Sequence, residues 1–393
     1  MDLQSKVPDI FLLSETWLKS WHSNAMLLIN GYTIIRKDRP DEKRGGGVGV
    51  LLKKGLKKGD LLDDSDQKTQ EFIGHVDGLA PITYLSTNHN GTLLCSTSLD
   101  KFAKIFDVIN FDMINIIKLD FTPSYSEWTH SSGDPISILA VADKESNKIY
   151  LYDGKGESLP LQVIDSLHTS PVVAIKFNVP FETVISIDKK GILEYWNISK
   201  HDYTHQFPDK IVQFESKLDT ALYDFAKNKT IVTGLDVSGD GKRFATISTD
   251  RKVRIFTFLT GKLFRVFDEA LARFQELQQT PNALPNMEFG RRMATERDLE
   301  KSDYFNNANI IFDVTGHFIL YSTMIGIKLI NIETNRCVVI LGKTDNIRPL
   351  HIGLFQGKSR KSKAAITIEQ EASENPALQA GFNDPTVFAT AYK

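Results

Sequence analysis

From about residue 82 onward, apolar and polar positions alternate in short runs separated by turn residues. The first unit reads Ile82–Ser86, Leu93–Ser96 and Ala103–Asp107, with Asn88-His89-Asn90-Gly91 between the first two runs. A later unit repeats the grammar: Val232–Val237, then Ser238-Gly239-Asp240-Gly241, then Phe244–Ser248. A period of two with Val, Ile, Phe and Tyr enriched predicts half-buried strands. Asn, Asp and Gly tolerate the positive φ that tight hairpins need. Five units close on a short apolar or aromatic run: Lys104-Ile105-Phe106-Asp107, Tyr150-Leu151-Tyr152-Asp153, Glu194-Tyr195-Trp196-Asn197, Arg254-Ile255-Phe256-Thr257 and Lys328-Leu329-Ile330-Asn331. Their endings lie 46, 44, 60 and 74 residues apart. The first two spacings match a repeat of roughly 40–45 residues, and the last two fit one repeat plus an insertion. The insertions are placed at 198–230, polar with scattered aromatics, and at 263–305. In the second, Phe267, Leu271, Phe274 and Leu277 recur at helical spacing and Met287 to Lys301 is charge-rich. An amphipathic helix packing on its own chain is expected there.

Composition narrows the function classes. The 393 residues are 41% hydrophobic and 24% charged, with a formal charge of −2. That is an ordinary globular balance with no basic field over the whole chain, so direct nucleic-acid binding is not expected. Two cysteines exclude a disulfide scaffold, and Cys95 and Cys337 both sit in strand-like runs that predict burial. No uninterrupted apolar stretch reaches about 18 residues, so no membrane span is expected. The first residues lack the apolar core of a signal peptide, and a cytosolic or nuclear protein is the expectation. The basic cluster Lys358, Arg360, Lys361 and Lys363 is read as a solvated loop, with a nuclear signal as the alternative. No phosphate loop and no metal-ligand spacing of Cys and His is found, so no cofactor is expected.

The third unit carries the sharpest motif. His168, Ser186, Asp188 and Trp196 occur in the order of the structural tetrad of WD40 repeats, and the chain resembles that family. The resemblance implies a hydrogen-bonded chain inside one blade, since a buried Trp N–H and a buried imidazole need partners. Partial sets appear as His75, Ser98 and Asp100 before Phe106, and as Ser248 and Asp250 before Phe256. Phenylalanine has no N–H, so these sets are incomplete. The same residue types could form a Ser-His-Asp catalytic triad. The G-x-S-x-G elbow is missing, and the structural role is the expected one. The fold expected is therefore an all-β WD40 propeller over 68–393. It is expected to be incomplete, with about five full blades plus a stub at Pro385–Tyr392.

Residues 1–54 have a different, α/β-type texture, followed by a linker at 55–67. Ser14-Glu15-Thr16-Trp17-Leu18, Arg36-Lys37-Asp38-Arg39 and Gly45-Gly46-Gly47-Val48 resemble the endonuclease domain of non-LTR retrotransposons. That resemblance implies a metal-ligating role for Glu15. A metal-dependent phosphodiesterase needs several converging carboxylates, and the other elements are missing, so a non-functional relic is expected.

The repeat body resembles a narrower family. The stretches are Phe106-Asp107-Val108, Phe111-Asp112-Met113-Ile114-Asn115, Leu167-His168-Thr169-Ser170-Pro171, Asp250-Arg251-Lys252-Val253-Arg254-Ile255-Phe256 and Gly261-Lys262-Leu263. Met287-Glu288-Phe289-Gly290-Arg291-Arg292-Met293-Ala294, Glu333-Thr334-Asn335-Arg336-Cys337 and Ala372-Ser373-Glu374-Asn375-Pro376 complete the set. They resemble the WD-repeat region of nuclear, spliceosome-associated cyclophilins that carry WD repeats. The resemblance implies a non-catalytic scaffold in pre-mRNA splicing, nuclear location, and spliceosomal and other nuclear proteins as partners. It also implies a C-terminal cyclophilin domain with prolyl isomerase activity in full-length members. No cyclophilin motif is found within these 393 residues, so no catalytic residue is assigned.

Overall fold

The alternating runs form antiparallel strands, and the strands assemble four at a time. The computed structural model describes the strand backbones of residues 10–14, 32–37 and 48–53. It further describes residues 81–110, 112–131, 133–279, 284–345, 347–356 and 385–392. The chain divides into two units, Met1–Glu71 and Phe72–Lys393. In the first, β1 (Ile10–Ser14), β2 (Tyr32–Lys37) and β3 (Val48–Lys53) form an antiparallel sheet of order β1-β3-β2. Glu15, His75 and the Lys358–Lys363 cluster lie outside the described residues.

Among its described residues the second unit holds five four-stranded antiparallel sheets and one two-stranded sheet. Blade 1 comprises β4 (Ile82–Thr87), β5 (Leu93–Ser98), β6 (Phe102–Asp107) and β7 (Asp112–Lys118). Blade 2 comprises β8 (Pro123–Trp128), β9 (Ile138–Asp143), β10 (Ile149–Asp153) and β11 (Gln162–Ile164). Blade 3 comprises β12 (Val172–Asn178), β13 (Thr183–Asp188), β14 (Leu193–Ile198) and β15 (His205–Gln206). Blade 4 comprises β16 (Val232–Val237), β17 (Arg243–Ser248), β18 (Lys252–Thr257) and β19 (Lys262–Asp268). Blade 5 comprises β20 (Ile310–Phe312), β21 (Phe318–Thr323), β22 (Gly326–Asn331) and β23 (Arg336–Leu341). The last sheet pairs β24 (Arg348–Phe355) with β25 (Thr386–Tyr392). The first strands of successive sheets lie side by side, from β4 through β8, β12, β16 and β20 to β24. The fold is all-β and propeller-like.

The period-two pattern explains why the sheets stack. In blade 3, Ile185, Ile187 and Tyr195 pack toward blade 4 with Phe225, Phe244 and Phe256. Val184 and Trp196, one register step away, pack toward blade 2 with Ile138, Ala140 and Leu151. Each middle strand is thus buried on both faces, and β9 and β13 are buried at every position. Burial of apolar area at roughly 25 cal/mol per Å² holds each blade to its neighbours.

The structure corrects four readings from the pattern. The runs taken as closing strands are third strands, and each blade adds a fourth: β7, β11, β15, β19 and β23. The segments 198–230 and 263–305 are therefore not wholly insertions, because each begins by supplying its blade's fourth strand. Phe267 lies in β19, paired opposite Val253, and is not helical. The α-helices among the described residues are α1 (Asp224–Asn228), α2 (Leu271–Leu277) and α3 (Asn286–Glu300). Cys95 is buried as expected, but Cys337 is exposed on the outer strand β23. The alternation that predicted its burial holds only where a second blade covers the face.

α3 also departs from a simple amphipathic helix. Its buried positions are Met293, Glu296 and Leu299. Glu296 is fully buried and accepts hydrogen bonds from Arg251 of the β17–β18 turn and from Arg348 of β24. Arg292 donates to the carbonyls of Lys343, at 2.7 Å, and Asp345, at 3.1 Å. The helix packs on its own chain by charge as much as by apolar contact.

Candidate functional site

In blade 3, His168, Ser186 and Trp196 meet in one buried chain. The Ser186 hydroxyl lies 2.7 Å from His168 Nε2, and Trp196 Nε1 donates to it at 3.0 Å. Asp188 Oδ1 accepts from the backbone N–H groups of Lys190, at 3.0 Å, and Ile192, at 2.9 Å, which fixes the β13–β14 turn. Asp188 Oδ2 stands 3.9 Å from His168 Nδ1, too far for a hydrogen bond. Burial pushes the imidazole down to about 4, against the pull of Asp188, so it is neutral near pH 7. The stability this neutral ring contributes is complete above its ordinary value near 6.5 and is lost as pH falls toward 4.

The order His–Ser with a nearby Asp has the look of a catalytic triad, but the geometry does not support catalysis. Ser186 and Asp188 have no exposed surface, and His168 is buried. The nucleophile oxygen already accepts the Trp196 N–H, and no substrate atom can reach it. The arrangement orders one blade. Trp196→Phe, which removes the donor and keeps most of the volume, is expected to cost about 1 kcal/mol in urea unfolding. Ser186→Ala strips a partner from both rings and should cost more, about 2–3 kcal/mol. Equal costs for the two variants would argue against the shared hydroxyl.

Blade 4 completes its partial set with a residue outside the His/Ser/Asp/Trp pattern. Arg254 Nη1 donates to Ser248 Oγ at 2.8 Å, Nη2 to Asp250 Oδ2 at 2.6 Å, and Nε to Asp224 Oδ2 of α1 at 2.6 Å. The guanidinium is 2% exposed. Burial would raise the Asp250 carboxyl, but the bonds from Arg254 and Ser248 outweigh it and hold it below its ordinary value. In blade 1, Asp100 Oδ1 accepts the Phe102 N–H at 2.9 Å, and the buried Lys104 occupies the position that Arg254 holds in blade 4.

Two further sites come from packing alone. On the first strands, Lys176 Nζ stands 3.4 Å from Glu127 Oε1, and Asp236 Oδ2 accepts the Phe312 N–H at 2.8 Å. Tyr84 donates to the Tyr125 hydroxyl at 2.7 Å beside them. The second site is a cleft of about 370 Å³ between blades 2 and 3. Ile136, Ile138, Val184, Ile198 and Tyr203 contribute to its walls, and Asp134, Glu182 and Lys200 are the charged residues that line it. Lys200 bridges the two acids, at 3.1 Å from Asp134 and 3.3 Å from Glu182. Among the described residues no group of His, Cys, Asp and Glu is placed to hold a metal ion, and no helix is long and apolar enough to cross a membrane.

Comparison with known proteins agrees with this architecture. The family model "WD domain, G-beta repeat" matches residues 66–107 and 220–257. The chain is 53% identical over 324 residues to the Peptidylprolyl isomerase domain and WD repeat-containing protein 1 of Mus musculus and of Homo sapiens. That alignment takes in 82% of this chain and 50% of each relative. The chain is 42% identical over 328 residues to the Peptidyl-prolyl cis-trans isomerase cyp15 of Rhizopus delemar, covering 82% of this chain and 51% of that one. This chain is a WD-repeat protein homologous to the peptidylprolyl isomerase domain and WD repeat-containing proteins. It spans about half the length of the curated relatives it matches. The match lies in the WD-repeat region of these relatives.

The WD-repeat model fits the ranges of blades 1 and 4, not the blade with the full His/Ser/Asp/Trp set. Spacing separates them: Asp100 to Phe106 and Asp250 to Phe256 are six residues, whereas Asp188 to Trp196 is eight. Sequence reasoning missed Arg254, Glu127, Lys176 and Asp236, because each is meaningful only once neighbouring strands are in register. One signal was available: a charged residue at an inward position of a strand otherwise apolar at alternate sites. The Lys176 group predicts a pH effect. Burial pushes the Glu127 and Asp236 carboxyls up, and Lys176 opposes this for both. Carboxyls raised in the folded state stabilise it below their unfolded values near 4 and lose that contribution as pH rises through the folded value. Lys176→Met moves the folded values further up, so its melting deficit should be larger at pH 7 than at pH 5. A pH-independent deficit would argue against the electrostatic account.

Proposed function

We propose that this WD-repeat region is a protein-interaction scaffold acting with nuclear pre-mRNA splicing proteins, as part of a cyclophilin-type isomerase system. The observation that carries the reading is the 53% identity over 324 residues to relatives whose names join a peptidylprolyl isomerase domain to WD repeats. The fold supports a binding role, since stacked blades present loops on rigid sheets and loops carry recognition. Isomerisation in such a system is the task of another domain, and these residues supply placement. The test is affinity capture from nuclear extract with the tagged chain, against a β-propeller of unrelated sequence as control. Enrichment of splicing proteins over the control is expected. Equal recovery from both would overturn the reading. In a proline-peptide isomerisation assay the purified chain should leave the uncatalysed rate unchanged.

A further inference from the structure

We propose that the cleft between blades 2 and 3 binds an extended peptide segment, seating an apolar side chain against Ile136, Ile138 and Ile198 and laying a lysine or arginine against Asp134 and Glu182. It rests on the scaffold reading only in taking a protein as the partner.

The argument begins with volume and lining. About 370 Å³ lies within the range of side-chain and small-ligand pockets, and the walls are mainly isoleucine, valine, proline and aromatic rings. An apolar group entering them leaves water without giving up hydrogen bonds. The mouth supplies direction. Two carboxylates face one ammonium, so the lining carries a formal charge of −1. Asp134 is held in place, with its Oδ2 accepting the Ser131 N–H at 2.8 Å. Lys200 is 59% exposed, the most exposed of the three charged groups. An exposed ion pair is worth little, so an incoming guanidinium or ammonium can replace the Lys200 head at small cost. An arginine would gain more, because its planar fork can address two carboxylates at once. An acidic segment or a phosphate backbone would meet repulsion at the same mouth.

The test uses two probe peptides, acetyl-Gly-Phe-Arg-Gly-amide and acetyl-Gly-Phe-Glu-Gly-amide, titrated into the full chain labelled at isoleucine methyls. The Arg peptide should shift the methyl signals of Ile136, Ile138 and Ile198, with the Glu peptide at least tenfold weaker. Asp134→Asn with Glu182→Gln should remove the preference between the peptides. Lys200→Ala should tighten binding of the Arg peptide by about two- to fivefold, because a competing cation is gone. A merely structural bridge would give no such gain. Thermal melts of each variant separate misfolding from lost recognition. Absence of methyl shifts with either peptide, or equal binding of both to the unmutated chain, overturns the proposal. Failure of the nuclear-extract capture with positive peptide titrations would sink the splicing reading and leave the cleft assignment standing.

Discussion

Glu296→Ala is expected to cost about 3–5 kcal/mol, the largest single loss in the molecule. The carboxylate is fully buried and receives bonds from two guanidiniums, Arg251 and Arg348, whose side chains are 9% and 6% exposed. Arg251 also reaches Glu300 Oε1 at 3.3 Å and lies over the Phe305 ring at 4.9 Å. Removing the carboxylate leaves two positive charges close together and largely out of water, with only Glu300 on Arg251 and the more distant Glu269 near Arg348 to offset them. The loss therefore comes from stranded cations rather than from the absent contact itself. This decides the control. Replacing all three members, Arg251→Met, Glu296→Met and Arg348→Met, should recover most of the stability, because a buried ion triad is seldom better than apolar packing. Urea midpoints of the single and triple variants give the comparison. A triple variant as unstable as Glu296→Ala would show that the network holds the helix by geometry, not charge. Hydrogen exchange adds a local readout: the amides of α3 should lose protection before those of blade 3.

The second large effect is expected at Arg254. Arg254→Met should lower stability by about 3 kcal/mol, because the side chain is buried and serves three partners from two elements. Asp224 and Asp250 are less than a third exposed and would lose their cation, and Ser248 would lose its donor. Arg254→Lys should rescue little, since a single ammonium cannot reproduce the divergent Nε, Nη1 and Nη2 geometry. The pH dependence has a definite sign. The Asp250 carboxyl is held below its ordinary value, so its contribution is present above about pH 4 and is lost as pH falls through the folded value. The gap between wild type and Arg254→Met should therefore narrow on acidification below pH 4. A constant gap would mean that the arginine acts through packing on Phe225, whose ring centre lies 5.2 Å away.

These two networks explain stretches that were distinctive as sequence but silent as chemistry. Asp250 to Phe256 and Met287 to Ala294 are among the stretches that carry the family resemblance. The first holds Arg251 and Arg254 three residues apart, yet their helical partners come from different helices, α3 and α1. The second opens the helix whose Glu296 and Arg292 tie blade 4 to blade 5 and to the last sheet. A linear motif cannot show such a pairing, because Arg251 and Glu296 are 45 residues apart and Arg348 another 52.

The strands and their count per repeat were nearly legible. Ile82–Ser86, Leu93–Ser96 and Ala103–Asp107 coincide with β4, β5 and β6 to within two residues. The fourth strands were missed because they are outermost and covered on fewer sides. β23 is exposed at five of its six positions, and β19 follows an alternation weak enough to pass for helix. His168, Ser186 and Trp196 could be paired in advance because the resemblance to WD40 repeats implied the chain, and a buried indole N–H and imidazole within one blade need partners.

Local chemistry therefore settled the inner strands, the turns and the blade-3 hydrogen bonds, all of which depend on residues near in sequence or on backbone period. Stacking of separate blades decided the rest. It chose which alternating face is buried, brought Glu127 beside Lys176, and set Asp134 across a cleft from Glu182. Those contacts cross from one sheet to the next, and their energies depend on burial that exists only after the sheets have packed.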